Sequence, residues 1–269
     1  MNRLLLSFVS CAFLMISCSW NFSEKQDIAT ESILYSNSTK AFQMDIKADY
    51  PIKGNKALMD SILQFINQEL GGTYKGDLHQ GDSLLAYYAH GWEKEMRQMF
   101  DEIIEARGTD QDMAPMFHSV HIRLEHNTPL YITYTIHEET YSGGAHGMHT
   151  SKGVTIRKSD GHVFDKDILI KNLDKEFNNL IKDGLFHYFS EQDMPLSTDI
   201  DLAAALQIDD IQNIPLPIAP LYFTPEGIVM EYQPYEIACY AAGSPSFTIP
   251  YHRITPYLTE EAKQMIDKK

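Results

Sequence analysis

The densest run of chemistry-bearing side chains in this sequence is Tyr141-Ser142-Gly143-Gly144-Ala145-His146-Gly147-Met148-His149. A glycine-rich turn leaves backbone amides exposed. An imidazole at its tip can help bind a ligand, act as a general base, or supply half of a zinc site with His149. The same residues also suit a hairpin turn in which the glycines take positive φ and His146 bonds the local backbone. Under the first reading Tyr141, Gly143, Gly144 and His146 form the first candidate site; under the second they only shape the turn. A second set, Tyr232, Tyr235 and Tyr240, lies in an aromatic-rich stretch downstream. These rings are candidate contacts, or else filling between a sheet and a loop.

The remaining chemistry is thinner. His118 and His121 are three apart in an extended segment, so their side chains point to opposite faces and cannot share an ion. His121 and His137 can meet across a hairpin, but Arg123 beside them would repel a cation. No metal and no cofactor is expected. Glu138-Glu139, Asp165 with Asp167, and Asp209-Asp210 are pairs that a chain this acidic contains by chance, and they do not assign a glycosidase acid and base. Zinc-protease, serine-hydrolase, P-loop and dinucleotide-binding signatures are absent from the sequence. Ser244 and Ser246 flank Pro245, which makes no nucleophile elbow. Cys239, between Ala238 and Tyr240, reads as a buried, inert thiol. Catalytic residues are left unassigned.

The elements that must position these residues come in blocks. Lys40–Tyr50 alternates as a strand. Asn55 caps a helix with Leu58, Ile62, Phe65, Ile66 and Leu70 on one face, stopped by Gly71-Gly72. Asp82 or Ser83 caps a longer helix with Leu85, Tyr88, Trp92, Met96, Met99, Ile103 and Ala106 in its stripe, closed by Gly108. Two alternating segments around Asn127-Thr128-Pro129 make a hairpin with one buried and one wet face. His149–Arg157 follows as a third strand, then a tight turn at Ser159-Asp160-Gly161. A helix after Asn172 carries Phe177, Ile181, Leu185 and Tyr188. Residues 191–220 are weakly patterned. A hairpin at Pro225-Glu226-Gly227, a strand at Ser246–Pro250 and a helix at Thr259–Ile266 end the chain. Blocks of this kind predict an α+β fold, with a largely antiparallel sheet packed with helices in two intimately associated subdomains.

The N-terminus reads as an export signal. Asn2 and Arg3 precede an apolar run of about 13 residues, Leu4–Ile16, too short for the roughly 20 that span a bilayer. Met15-Ile16-Ser17-Cys18 resembles a bacterial lipobox, so residues 1–17 are expected to be removed and Cys18 to carry acyl chains. Residues 18–38 are polar and read as a tether. The predicted place is the cell envelope, lipid-anchored on the periplasmic or surface side of the outer membrane. Removing residues 1–17 takes away one Arg and no acid, so the formal charge of −15 becomes −16. Such acidity excludes nucleic acid as a partner and suits a basic one.

Taken together, Tyr141–Gly147, Tyr222-Phe223-Thr224-Pro225-Glu226-Gly227-Ile228, Tyr235-Glu236-Ile237-Ala238, Gly243 and Phe247–Tyr251 resemble the RsiV-type extracytoplasmic domain, in family order. The upstream half resembles the domain that accompanies it in PdaC-type peptidoglycan deacetylases. The resemblance implies residues 39–160 as a PdaC-type N-terminal-like subdomain and 161–269 as an RsiV-type C-terminal-like one. It also implies a non-catalytic module that binds lysozyme, another cell-wall-active protein or cell-wall glycan. A lipoprotein signal in place of a sigma-binding segment and membrane helix sets this chain apart from the anti-sigma members. The alternative reading is a cell-wall or glycan hydrolase using His146 and a carboxylate.

Overall fold

The computed structural model of this protein describes residues 28–108, 113–208 and 210–266. The expected signal peptide, Cys18 and Asp209 lie outside the described residues. No described helix is long and apolar enough to cross a membrane.

The first half is a six-stranded sheet covered on one face by two helices. In chain order come β1 (Ala29–Ser38), β2 (Phe42–Lys53), α1 (Lys56–Glu69), α2 (Gly81–Arg107), β3 (Met116–Asn127), β4 (Tyr131–Tyr141), β5 (Met148–Arg157) and β6 (Val163–Phe164). The strands lie in sequence order, and only β2 and β3, separated by the two helices, run parallel. Strand periodicity explains the layering: Phe42, Met44, Ile46, Ala48 and Tyr50 alternate along β2 and are all buried against Leu58, Ile62 and Ile66 of α1 and Leu85 and Tyr88 of α2. Asn55 caps α1 by accepting from the Leu58 amide at 2.9 Å, while its own Nδ2 donates to the Lys158 carbonyl at 2.7 Å. One side chain thus sets both the helix start and its distance from the end of β5.

Three expectations need correction here. Residues 29–38 form an edge strand, not a tether, because Tyr35 and Asn37 reach α2 and both donate to Glu93 Oε1, at 2.9 and 2.8 Å. Helix α2 begins at Gly81 with Gln80 in the cap position rather than Asp82 or Ser83, and Met99 is exposed, whereas Leu84, Ala89 and Phe100 are buried. The far face of the hairpin is not wet throughout. Thr133 and Thr135 are buried, at 0% and 9% exposure, because the second half of the molecule packs on them.

That second half contains α3 (Lys175–Glu191), α4 (Asp199–Ala205), β7 (Tyr222–Phe223), β8 (Gly227–Glu231), β9 (Ser246–Pro250), α5 (Tyr251–Ile254) and α6 (Glu260–Lys263). Strands β7-β8-β9 make a small antiparallel sheet. α3 packs on it through Phe177, Ile181, Leu185 and Phe189. α4 was not visible in the sequence pattern. It is held by a capping box between Thr198 and Asp201, worth about 1 kcal/mol in such helices. At the seam, Thr133 Oγ1 meets Thr155 Oγ1 at 2.9 Å and the Phe223 carbonyl at 2.8 Å, and the Phe223 amide donates to Thr155 Oγ1 at 2.8 Å. β7 is therefore hydrogen-bonded to the back of the large sheet through two threonine hydroxyls.

Candidate functional site

The turn between β4 and β5 takes the form its glycines allow. Gly143 and Gly144 have φ of 98° and 99°, a region side chains other than hydrogen resist. Tyr141 donates to the Gly144 carbonyl at 3.2 Å, and its ring lies over Phe117 with centroids 5.9 Å apart. His146 Nδ1 is 2.7 Å from the Gly147 carbonyl. That carbonyl also accepts the Tyr240 hydroxyl at 2.9 Å, from the second half of the molecule.

The rings continue outward from there. His146 and Tyr240 are nearly parallel, 19° apart with centroids at 4.2 Å, and Tyr235 follows at 5.6 Å and 31° from Tyr240. His149 flanks the row, 5.8 Å from Tyr240, with its Nε2 3.2 Å from Ser244 Oγ. The result is a three-ring platform spanning both halves of the chain, with His146 and Tyr235 exposed. Tyr235 has φ 67°, a left-handed conformation that costs a bulky L-residue about 1–2 kcal/mol. Its neighbours hold it there. The Gln233 amide bonds β5 on both sides, accepting from Ser151 N at 3.1 Å and donating to Ser151 O at 2.6 Å. Glu236 accepts from the backbone N–H of Gln233 at 2.8 Å and from that of Ile218 at 2.6 Å.

Two sequence expectations for this region fail. Tyr232 does not join the platform: it is fully buried, its hydroxyl donating to Pro215 O at 2.8 Å, because β8 points it into the second core. Cys239 is exposed, not buried, since it precedes a short helical turn on the surface.

The structure also places a cluster that sequence reasoning missed. Glu231 ends β8 and is buried, and desolvation pushes its carboxyl above the usual range. Hydrogen bonds from Ser151 and Tyr222, together with the nearby His137, offset part of this. Tyr222 Oη is 3.5 Å from Glu231 Oε2, and burial, with Glu231 beside it, raises that phenol as well. The only sequence signal was a carboxylate inside the apolar run Gly227–Tyr232.

The other histidines sit as their spacing implied. His118 faces the helices, its ring tilted 33° against Trp92 with centroids 4.1 Å apart, and lies 2.7 Å from Glu138 Oε1. That hydrogen bond holds the Glu138 carboxyl below its ordinary value. His121 lies on the opposite face, 3.1 Å from Asp45 Oδ2 and across from His137 in the strand register. Among the described residues no group of three or more His, Cys, Asp or Glu side chains is placed to hold a metal ion. Asp165 and Asp167 serve a turn: Asp167 accepts from the Asp165 amide at 2.8 Å and lies 2.9 Å from His162 Nε2. The platform contains no carboxylate. The observed partners of His146 are a carbonyl and a phenol ring.

Residues 164–252 match the family described as a protein of unknown function, DUF3298. That region holds Tyr235 and Tyr240, and His146 lies outside it. A DUF3298 family member from Bacteroides fragilis NCTC 9343 is 18% identical, with a TM-score of 0.72 over 90% of this chain and 99% of that one. A DUF3298 family protein from Pseudomonas aeruginosa PAO1 is 13% identical, with a TM-score of 0.61 over 91% of this chain and 99% of that one. These likenesses establish a shared α+β fold. No curated protein matches the chain.

Proposed function

We propose that this chain is a lipid-anchored binding protein of the cell envelope, which holds a basic, cell-wall-active protein such as lysozyme on the His146–Tyr240–Tyr235 platform without transforming it. In this reading its nearer kin are the RsiV-type domain with its PdaC-type companion, and Cys18 carries the lipid. The observation that carries the proposal is the exposed Tyr235, kept in a strained left-handed conformation at the end of a ring stack that joins both halves. Exposed tyrosines on rigid backbone are favoured contact residues, since they bring large area at small entropic cost. The formal charge of −15 suits a cationic partner by speeding encounter, and it makes affinity fall with salt.

Calorimetric titration of residues 28–266 with a cationic c-type lysozyme, at low and near-physiological salt, tests this. Saturable one-to-one heat that weakens with salt but persists supports the reading. Heat abolished by modest salt, or none, sinks it, and heat with cell-wall oligosaccharides instead would move the ligand class to glycan.

A further inference from the structure

Between α4 and β7 the chain passes through Pro215, Pro217 and Pro220, and this segment is tied down from three directions. Pro215 O accepts the hydroxyl of the buried Tyr232 at 2.8 Å, and the Ile218 N–H donates to Glu236 Oε1 at 2.6 Å. Lys166 Nζ donates to the carbonyls of Ile218 and Ala219 at 2.9 and 3.3 Å. Leu216 packs on the second core, and Pro217 and Ala219 are buried, yet Ile218 between them is 79% exposed. A lone exposed isoleucine is ordinary. This one has its N–H and its C=O both fixed, and it shares its support with the platform. Glu236 Oε2 accepts the Gln233 N–H, and the Glu236 N–H donates to the Gln233 carbonyl at 3.0 Å. The turn so closed gives Tyr235 the positive φ that glycine or asparagine ordinarily supplies. One carboxylate therefore holds Ile218 with one oxygen and the Tyr235 turn with the other. Tyr235 is 51% exposed, so two protruding apolar side chains stand on one rigid support.

We infer that Ile218 is a second anchor of the docking surface, received in an apolar pocket of the cationic partner that the platform holds. This extends the platform reading and rests on it, because Tyr235 and Ile218 have Glu236 in common. The charge beside Ile218 fits that occupant. Asp165 Oδ1 lies 3.3 Å from Lys166 Nζ, so two carboxylates, Asp165 and Glu236, and one ammonium group surround the Ile218 backbone. One negative charge is left over. It favours a cation at the rim of the partner's pocket, and it disfavours an acidic partner or a second copy of this chain, whose formal charge is −15. Preorganisation favours the contact further, since a side chain on a fixed backbone loses little freedom on docking. Apolar burial is not screened by salt, so this anchor retains the partner at ionic strengths where charge steering fades.

Titration of the full-length protein with a cationic c-type lysozyme, at low and near-physiological salt, tests the anchor. Ile218→Ser is expected to weaken binding about ten- to a hundredfold at both salt concentrations, the range for burial of one isoleucine. Ile218→Leu keeps an apolar side chain of the same volume and is expected to recover most of that loss. Ile52→Ser, exposed on β2 at the far end of the sheet from the β4–β5 turn, is the control and is expected to change nothing. Parent-like affinity in Ile218→Ser, with the parent's melting midpoint, overturns the anchor. The platform reading then stands alone if Tyr235→Gly still weakens binding. A loss confined to low salt, or an equal loss in Ile52→Ser, overturns the anchor as well, since neither is the mark of a local apolar contact. No heat from the parent sinks the platform reading and the anchor with it.

Discussion

Gly153 carries the close approach between the two halves, and replacing it with alanine exposes how tight that seam is. A Cβ at this position would lie 2.6 Å from Tyr222 Cε1 and nearer still to Cδ1 and Cγ. Carbon atoms settle at about 3.5–4.0 Å, so the ring must retreat by about 1 Å. It cannot do so freely, because the next residue, Phe223, bonds Thr155 and Thr133 through its N–H and C=O, each at 2.8 Å. Overpacking of this kind costs about 1–3 kcal/mol, and loss of one buried hydrogen bond adds about 1 kcal/mol. A loss of roughly 2–4 kcal/mol lowers Tm by roughly 4–15 °C in a body of this size. Urea denaturation and calorimetry of Gly153→Ala measure it directly. In a Tyr222→Ala background, where the ring is gone, the same substitution is expected to cost less than about 1 kcal/mol. An unchanged midpoint, or equal cost in both backgrounds, would refute the packing argument.

Other perturbations probe the clusters around the seam. Glu231→Gln is expected to stabilise the protein near neutral pH. The folded carboxyl has a raised pKa, so the native state prefers the proton. The wild type gains stability as pH falls through that raised value, and the gain is complete below the ordinary glutamate value of 4.5. Melting curves of both proteins across that window should converge on the acid side; parallel curves would contradict the assignment. His146→Ala and Tyr240→Ala, singly and together, should show a coupling of about 0.5–1.5 kcal/mol in a denaturation cycle, as for stacked rings, whereas additivity would mean the contact contributes nothing. Asn55→Ala removes both the α1 cap and the bond to the Lys158 carbonyl and should cost about 2 kcal/mol, read as a shift in the urea midpoint with the same slope.

Much of this fold is legible in the residues because a single physical period governs each element. The alternation of Phe42, Met44, Ile46 marks β2, and Asn55, Gly71 and Gly108 mark helix boundaries through capping and positive φ. What escaped was set by tertiary context. β1 has only Ile33 and Tyr35 packed against the core on one face, joined by the hydrogen bonds of Tyr35 and Asn37 to Glu93, and its other face is exposed, so its composition imitates a linker. Thr133 and Thr135 alternate as wet-face residues should, yet they are buried, the Thr133 hydroxyl bonding the Phe223 carbonyl across the seam and the Thr135 hydroxyl bonding Glu125 within the sheet. The platform was half legible: the glycine turn, His146, Tyr235 and Tyr240 were marked by type, but only the fold sets Tyr240 on His146 and sends Tyr232 into the core. Glu231 was hidden for the opposite reason, since one carboxylate in an apolar strand carries no pattern at all.

The platform claim is tested most directly by comparing Tyr235→Gly with the parent in lysozyme titration at near-physiological salt. Glycine relieves about 1–2 kcal/mol of left-handed strain and gives back about 0.5–1 kcal/mol in chain entropy, so the variant should fold with stability within about 1 kcal/mol of the parent. The account predicts an unchanged fold with affinity reduced at least tenfold, which is about 1.4 kcal/mol. Unchanged affinity in the folded variant would contradict it, and would leave Tyr235 as a strained surface residue with no part in binding.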